Sequence, residues 1–222
     1  MREYNRNIFK VCDTPEKAYW LGFLLADGNV IESHKQLSLR QAPKALDQLI
    51  NFIKFLEFTE FPNLRFPQGC YEFQLGSREM FKDLTQYGII PRKNGRETIK
   101  NIPEKYMSHF IRGYADGDGC IHIVYLKNYL HWLPEFKAEI ASCTKVLKQI
   151  QKIIKKHIDL EGKIYIHKQT KSHEGGKLIF AGAIRAMKYL EWIYKDSNES
   201  MRLDYKYKKY LKYLQIREKH FK

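Results

Sequence analysis

A chain of 222 residues, 44% hydrophobic and 14% aromatic, is long enough to bury one substantial core or two coupled small ones, which excludes a disordered polypeptide. Its 39 Lys and Arg against 25 Asp and Glu leave a formal charge of +14, so the expected partner is a polyanion held in a salt-dependent way, nucleic acid first. No lipidation motif or long apolar run supports a membrane partner, and no secretory signal is read in the N-terminal residues, so an intracellular protein is expected. Cys12, Cys70, Cys120 and Cys143 form no C-x-x-C pair and read as reduced core or strand residues.

In chain order, Thr14 or Asp13 can cap a first helix with Pro15 in its first turn, running through AYWLGFLLADG (18–28). Leu37 to Arg40 alternates as a half-buried strand should. Pro43 to Phe58 carries Leu46, Leu49, Ile50, Ile53 and Leu56 at helical spacing. Asn63 to Phe66 and Cys70 to Leu75 read as two short strands around the turn-forming Pro67-Gln68-Gly69. A helix follows from Ser77 to Tyr87, stopped by Gly88. The first half is expected to span residues 1–90, and a basic, breaker-rich connector residues 91–105.

The second half, 106–222, repeats that order. It opens on HFIRGYADGDG (109–119), followed by strands at Ile121 to Leu126 and Phe136 to Ala141 and a helix from Thr144 to His157. A hairpin joins Lys163 to His167 with Lys177 to Ala181 across His173-Glu174-Gly175-Gly176, and a helix covers Ile184 to Tyr194. The tail from Met201 to Lys222 predicts a basic helix with Leu203, Tyr207, Tyr210, Leu211 and Leu214 on one stripe.

The two quoted segments are copies of one pattern. Aligned on their last residues, Leu21 meets Arg112, Gly22 meets Gly113, Ala26 meets Gly117, Asp27 meets Asp118 and Gly28 meets Gly119. Small residues four apart lie on one helix face, so Gly22, Ala26, Gly113 and Gly117 are the expected interface between two closely packed helices. Arg112 and Asp116 interrupt the second copy, and both are too short to span a bilayer. Each helix would deliver one carboxylate at its end. Two carboxylates held together repel, and a divalent cation is their natural occupant.

Gly22, Ala26, Asp27 and Gly28, with Gly113, Asp116, Gly117, Asp118 and Gly119, resemble the paired signature of LAGLIDADG homing endonucleases in their single-chain form. The first copy departs at Leu25, where the second has Asp116. The resemblance implies an α+β fold of two pseudo-symmetric αββαββα halves, packed through the motif helices, each with a saddle-like antiparallel DNA-binding sheet. It also implies Mg2+, replaceable by Mn2+ or Ca2+, at Asp27 and Asp118 with Gly28 and Gly119 beside them. Gln41 and Ser142 would stand at strand ends before the core helices, with Lys93 and Lys206 as site lysines, although Tyr205 occupies a place that is often basic. Members of the family make a staggered double-strand break across the minor groove.

Long polar residues on strands suit the DNA major groove. Candidate contacts are Lys35, Arg40, Arg65, Gln68 and Tyr71 in one half, and His122, Tyr125, Lys127, Lys163, Tyr165, His167, Lys168 and Lys171 in the other. Two unequal halves imply a monomer on an asymmetric double-stranded target. The resemblance leaves two other functions open: an RNA maturase acting on intron RNA and a catalytically dead regulator. Retention of both motif acids weighs against the regulator. His157, His167 and His173 show no metal-ligand spacing.

Overall fold

A computed structural model describes residues 3–93, 95–125, 133–168 and 174–221. The first half runs α1 (Pro15–Asp27), β1 (Gly28–Ile31), β2 (Gln36–Gln41), α2 (Leu46–Phe55), β3 (Tyr71–Gly76) and α3 (Arg78–Gln86). The second runs α4 (Met107–Asp118), β4 (Gly119–Val124), β5 (Glu135–Cys143), α5 (Thr144–Ile158), β6 (Lys163–Lys168), β7 (Glu174–Ala181), α6 (Ala183–Tyr194) and α7 (Asp204–His220). Both halves thus open with a helix that passes directly into a strand. The result is an α+β fold with two antiparallel sheets, ordered β1-β2-β3 and β4-β5-β7-β6. Among the described residues no helix is long and apolar enough to cross a membrane.

Of the two candidate caps for α1, Thr14 takes the role: its Oγ1 accepts from the Lys17 N–H at 3.2 Å, while Asp13 pairs with Lys17 Nζ at 2.7 Å. Residues Ala18 to Ala26 are all buried, so α1 is apolar on every side and must be enclosed. It is enclosed by its copy. A Cβ at Gly22 would fall 2.0 Å from Phe110 O, and one at Gly113 would fall 1.9 Å from Tyr19 O. The two backbones therefore touch where the small residues stand, side by side and in the same direction. Gly88 (φ 92) follows α3 in the left-handed conformation that ends a helix.

Each sheet has one apolar and one polar face, fixed by register. Leu37, Leu39 and Phe73 point to the helices in the first sheet, and Ile121, Phe136, Ala138, Ile140, Leu178 and Phe180 in the second. The opposite parity carries Ser38, Arg40, Glu72 and Gln74 in one, and His122, Lys137, Glu139, Lys177, Lys163, Tyr165 and His167 in the other.

The structure corrects the sequence reading at four places. Asn63 to Phe66 is no strand: Pro62 and Pro67 bracket it and lack ladder donors, so only Arg65 bridges, to Glu72. Gly175 and Gly176 are buried strand residues of β7, not a turn. A Cβ on Gly176 would lie 2.5 Å from Tyr165 O and 3.3 Å from the Leu147 side chain, so the glycine serves close packing. β1 starts at Gly28, directly after α1. The expected stripe of the tail holds at Leu203 and Tyr210, which are buried, and at Tyr207 and Leu214, which pack on the core, but α7 also buries Lys206 and Tyr213, because Tyr213 stacks on Phe136 at 3.8 Å and Lys206 finds buried acceptors. All four cysteines are free, Cys12 and Cys143 buried, Cys70 and Cys120 half-buried.

Candidate active site

α1 and α4 end together, which brings the negative ends of two helix dipoles and two carboxylates to one place. Asp27 rests against the neighbouring helix, its Cγ 3.3 Å from where a Cβ on Gly117 would stand, next to Asp118. Two lysines offset this concentration of negative charge. Lys93 Nζ donates to the Leu25 carbonyl at 2.7 Å and to the Ala26 carbonyl. Lys206 Nζ donates to the carbonyls of Ala115 (3.0 Å), Asp116 (2.6 Å) and Gly119 (2.6 Å). The last carbonyls of a helix lack i+4 donors, so each lysine caps one motif helix; Lys206 also shares the Ala115 carbonyl with the Gly119 N–H and reaches the first carbonyl of β4.

Burial and then the charge of Asp27 push Asp118 up to about 6, although Lys93 and Lys206 pull the other way. Asp27 is raised by burial, with Gln41, Lys206 and Lys93 opposing. Both lysines are lowered by burial. The charges of Asp118 and Asp27 oppose this at Lys93, and those of Asp116, Asp27, Cys120 and Asp118 at Lys206.

Polar support differs between the halves. Gln41 Nε2, at the end of β2, donates to Asp27 Oδ2 at 2.7 Å. In the corresponding place Ser142 Oγ lies 2.6 Å from Tyr114 Oη instead. The lysines differ as well: an ammonium has three N–H donors, Lys206 uses all three on carbonyls, and among the described residues Lys93 uses two. A cleft of about 550 Å³ between β1 and Pro91-Arg92-Lys93 opens beside Lys93. Tyr205 is half-buried with Lys44 Nζ 4.8 Å over its ring.

The donor set fits Mg2+, which is commonly held by one or two carboxylates with water and substrate phosphate completing the shell. No group of three or more His, Cys, Asp or Glu occurs among the described residues. The Gly119 carbonyl receives Lys206 on one of its two lone pairs. Gly28 donates its N–H to Leu24 O.

The candidate DNA contacts scatter. Arg40, His122, Lys163, Tyr165 and His167 stand on polar faces. Arg65 and Gln68 are exposed in the segment beside β3. Tyr71 is corrected: register puts it on the parity of Phe73 and Leu75, packed on the core and 4.7 Å from Phe66. Lys35 folds back, its Nζ 4.6 Å over the Phe81 ring. Tyr125 is exposed just past β4, and Lys168 ends β6. Lys127 and Lys171 lie outside the described residues.

The sequence reading assigned no place to a buried network beneath the site. Asp116 accepts from Leu203 N–H (2.8 Å) and Tyr19 Oη (2.9 Å), and Gln48 Nε2 donates to Tyr19 Oη at 2.8 Å. Arg112 donates to the Met201 (2.7 Å) and Ile193 (2.6 Å) carbonyls and lies 2.8 Å from His109 Nδ1. Burial, then Arg112, lowers His109 to about 4, leaving it neutral and able to accept that bond. This network ties the segment before α7, and hence Lys206, to α4. Its signal in the sequence was the two polar residues, Arg112 and Asp116, inside an otherwise apolar motif copy.

Among solved structures, the I-LtrWI LAGLIDADG homing endonuclease bound to target DNA matches over 91% of this chain and 89% of its own, with a TM-score of 0.56 at 14% identity. The chain has the LAGLIDADG fold. Mesophilic variants of the homing endonuclease I-DmoI match over 86% of this chain and 98% of theirs (TM-score 0.53, 13% identity). Full-length DUF199/WhiA from Thermatoga maritima matches over 96% of this chain and 65% of its own (TM-score 0.54, 14% identity). No protein-family model and no curated protein matches the sequence. The LAGLIDADG fold is thus shared by endonucleases and by WhiA, and the site must distinguish between functions.

Proposed function

We propose that the chain is a site-specific, Mg2+-dependent DNA endonuclease of the intron-homing kind. It acts as a monomer and makes a staggered double-strand break in a long asymmetric target. The observation that carries this reading is the convergence of Asp27 and Asp118 at two lysine-capped helix ends, with Asp118 pushed up to about 6 by burial and by its twin. A scaffold without chemistry has no need of such a pair. On the same fold, I-LtrWI is bound to target DNA and I-SmaMI to cleaved DNA.

Mg2+ held by Asp27, Asp118 and a scissile phosphate would neutralise developing charge and acidify a water. The chain's own residues do the rest. Gln41 fixes the Asp27 carboxylate, and Lys93 holds the end of α1 with one N–H left for a phosphate oxygen. Lys206 is a positioning residue, its donors spent on α4. The polar sheet faces of residues 1–90 and 106–222 each read one half-site, with 91–105 joining them.

The test is cleavage of a randomised duplex library in Mg2+ by wild type and by Asp27→Asn, with the cut ends sequenced. One long asymmetric site cut only by wild type is expected. Binding without cutting by wild type would remove the nuclease reading and favour a regulator or RNA maturase.

A further inference from the structure

Each polar sheet face holds one carboxylate near its inner end, and neither belongs to the metal site. Glu72 on β3 is 3% exposed and takes Arg40 Nε at 2.7 Å and Ser38 Oγ at 3.1 Å, both on Oε1. Glu139 on β5 is 8% exposed, takes Lys177 Nζ at 2.7 Å and lies 3.4 Å from His122 Nε2. Aligning the Gly28–Leu39 pair on the Gly119–Ile140 pair puts Ser38 on Glu139 and Glu72 on Lys177. The same diagonal of each sheet therefore carries an acid, on opposite strands in the two halves. Arg40 adjoins Gln41, which bonds Asp27, and Glu139 pairs with Cys120, two residues past Asp118. Both pairs flank the candidate active site.

In a chain of charge +14, an acid on a surface that meets phosphate opposes the attraction that brings DNA there. Burial pushes both carboxyls up, yet the bonds from Arg40, Gln74 and Ser38 keep Glu72 below its ordinary value. Those from Lys177 and His122 do the same for Glu139, so both stay ionised at neutral pH. Both carboxylates are buried, so DNA would meet the cation each one holds: the Arg40 side chain is 54% and the Lys177 side chain 43% exposed, and a cation tethered in this way is oriented for guanine.

We infer that Glu72 with Arg40, and Glu139 with Lys177, are specificity-determining pairs that read the inner base pairs of the two half-sites. The inference rests on the proposed DNA-facing role of the sheets. Each carboxylate holds its exposed cation toward a guanine edge and, as an acid, opposes DNA that offers only phosphate. Because the pairs sit in different halves, each governs its own half-site.

The experiment is selection from a randomised duplex library by binding, without divalent metal, so that cleavage plays no part. Wild type, Glu72→Gln, Glu139→Gln, Arg40→Met and Lys177→Met are compared, with melting temperatures measured alongside. Wild type is expected to enrich one asymmetric sequence. Glu72→Gln should relax discrimination about tenfold at inner positions of one half only, and Glu139→Gln at inner positions of the other. Both should hold unrelated duplex more tightly, and Arg40→Met and Lys177→Met should relax the same positions as their partners. A wild type that selects a sequence, with variants that keep its preference at every position, would overturn the pairs while leaving the DNA-binding role intact. Uniform weakening on all sequences with a lowered melting temperature would reduce them to sheet supports and overturn them equally. A wild type that enriches nothing would remove the DNA-reading role and the pairs together.

Discussion

The two halves reach the same helix ending by different means. In the first, Leu25 keeps the motif helix apolar, Gln41 holds Asp27 directly, and Lys93 arrives from the segment after α3 with one donor uncommitted. In the second, Asp116 and Arg112 replace apolar residues and tie the approach to α7, Ser142 turns to Tyr114, and Lys206 is saturated by three carbonyls. A chain carrying two copies is free of the symmetry a homodimer must obey, so one half can specialise in chemistry and the other in anchoring. What the two halves share is the paired carboxylates and a lysine on each motif-helix end.

That division can be broken at its common element first. Asp27→Asn or Asp118→Asn is expected to lower single-turnover cleavage by about a thousandfold or more while target affinity changes only a few-fold, as gel-shift and quench assays would show. Double-strand cutting at the wild-type rate by either variant would disprove the shared centre.

The lysines sharpen the contrast. Lys93→Met is expected to slow cleavage about a hundredfold with binding retained, because its remaining donor would act on developing charge. Lys206→Met should instead cost roughly 2 to 4 kcal/mol of stability, since it strips three bonds from the carbonyls of Ala115 and Asp116 in the last turn of α4 and of Gly119 at the start of β4. Denaturant melts and single-turnover rates separate the two, and identical profiles would show that the lysines are equivalent. Next in size, Gln41→Ala should slow cleavage about tenfold through the freed Asp27 carboxylate, and Ser142→Ala no more than about twofold.

A pH-dependent effect on stability follows from the acid pair itself. Asp118 titrates in the folded state at about 6 against an ordinary 3.8, so the folded state holds its proton more tightly than the unfolded one. Its stabilising contribution is whole below about pH 4 and is lost as pH rises through about 6. Asp118→Asn should therefore raise stability at pH 7.5 without metal, by on the order of 1 to 2 kcal/mol after allowing for partial exposure. The gain should vanish below about pH 4. An Asn variant no more stable than wild type at pH 7.5 would show that the carboxylate is not strained by its surroundings.

Much of the fold was legible because it rests on local pattern. Small residues four apart announce a close helix contact, and the repeat of that pattern announces two halves. Most of what failed was non-local. Gly175-Gly176 mimics a turn because close packing of Gly176 against a neighbouring strand also demands glycine, whereas at Asn63 to Phe66 the adjacent Pro62 and Pro67 are a local signal that outweighs an apparent strand. At the site, the acids could be placed at helix ends, and Lys93 and Lys206 indeed lie against those ends. The turning of Ser142 toward Tyr114, the folding back of Lys35 and the inward parity of Tyr71 depend on partners distant in sequence or on strand register. Glu72 and Glu139 carry no motif, and only strand register sets them beside Arg40 and Lys177.

The most direct test of the central claim, that Asp27 and Asp118 together hold a divalent cation, is Mn2+ titration of the DNA-bound protein followed by electron paramagnetic resonance. Wild type is expected to take up Mn2+ in a saturable way that either Asp→Asn variant weakens at least about tenfold, as loss of a carboxylate ligand requires. Uptake unchanged in both variants would place the cation elsewhere and contradict the account.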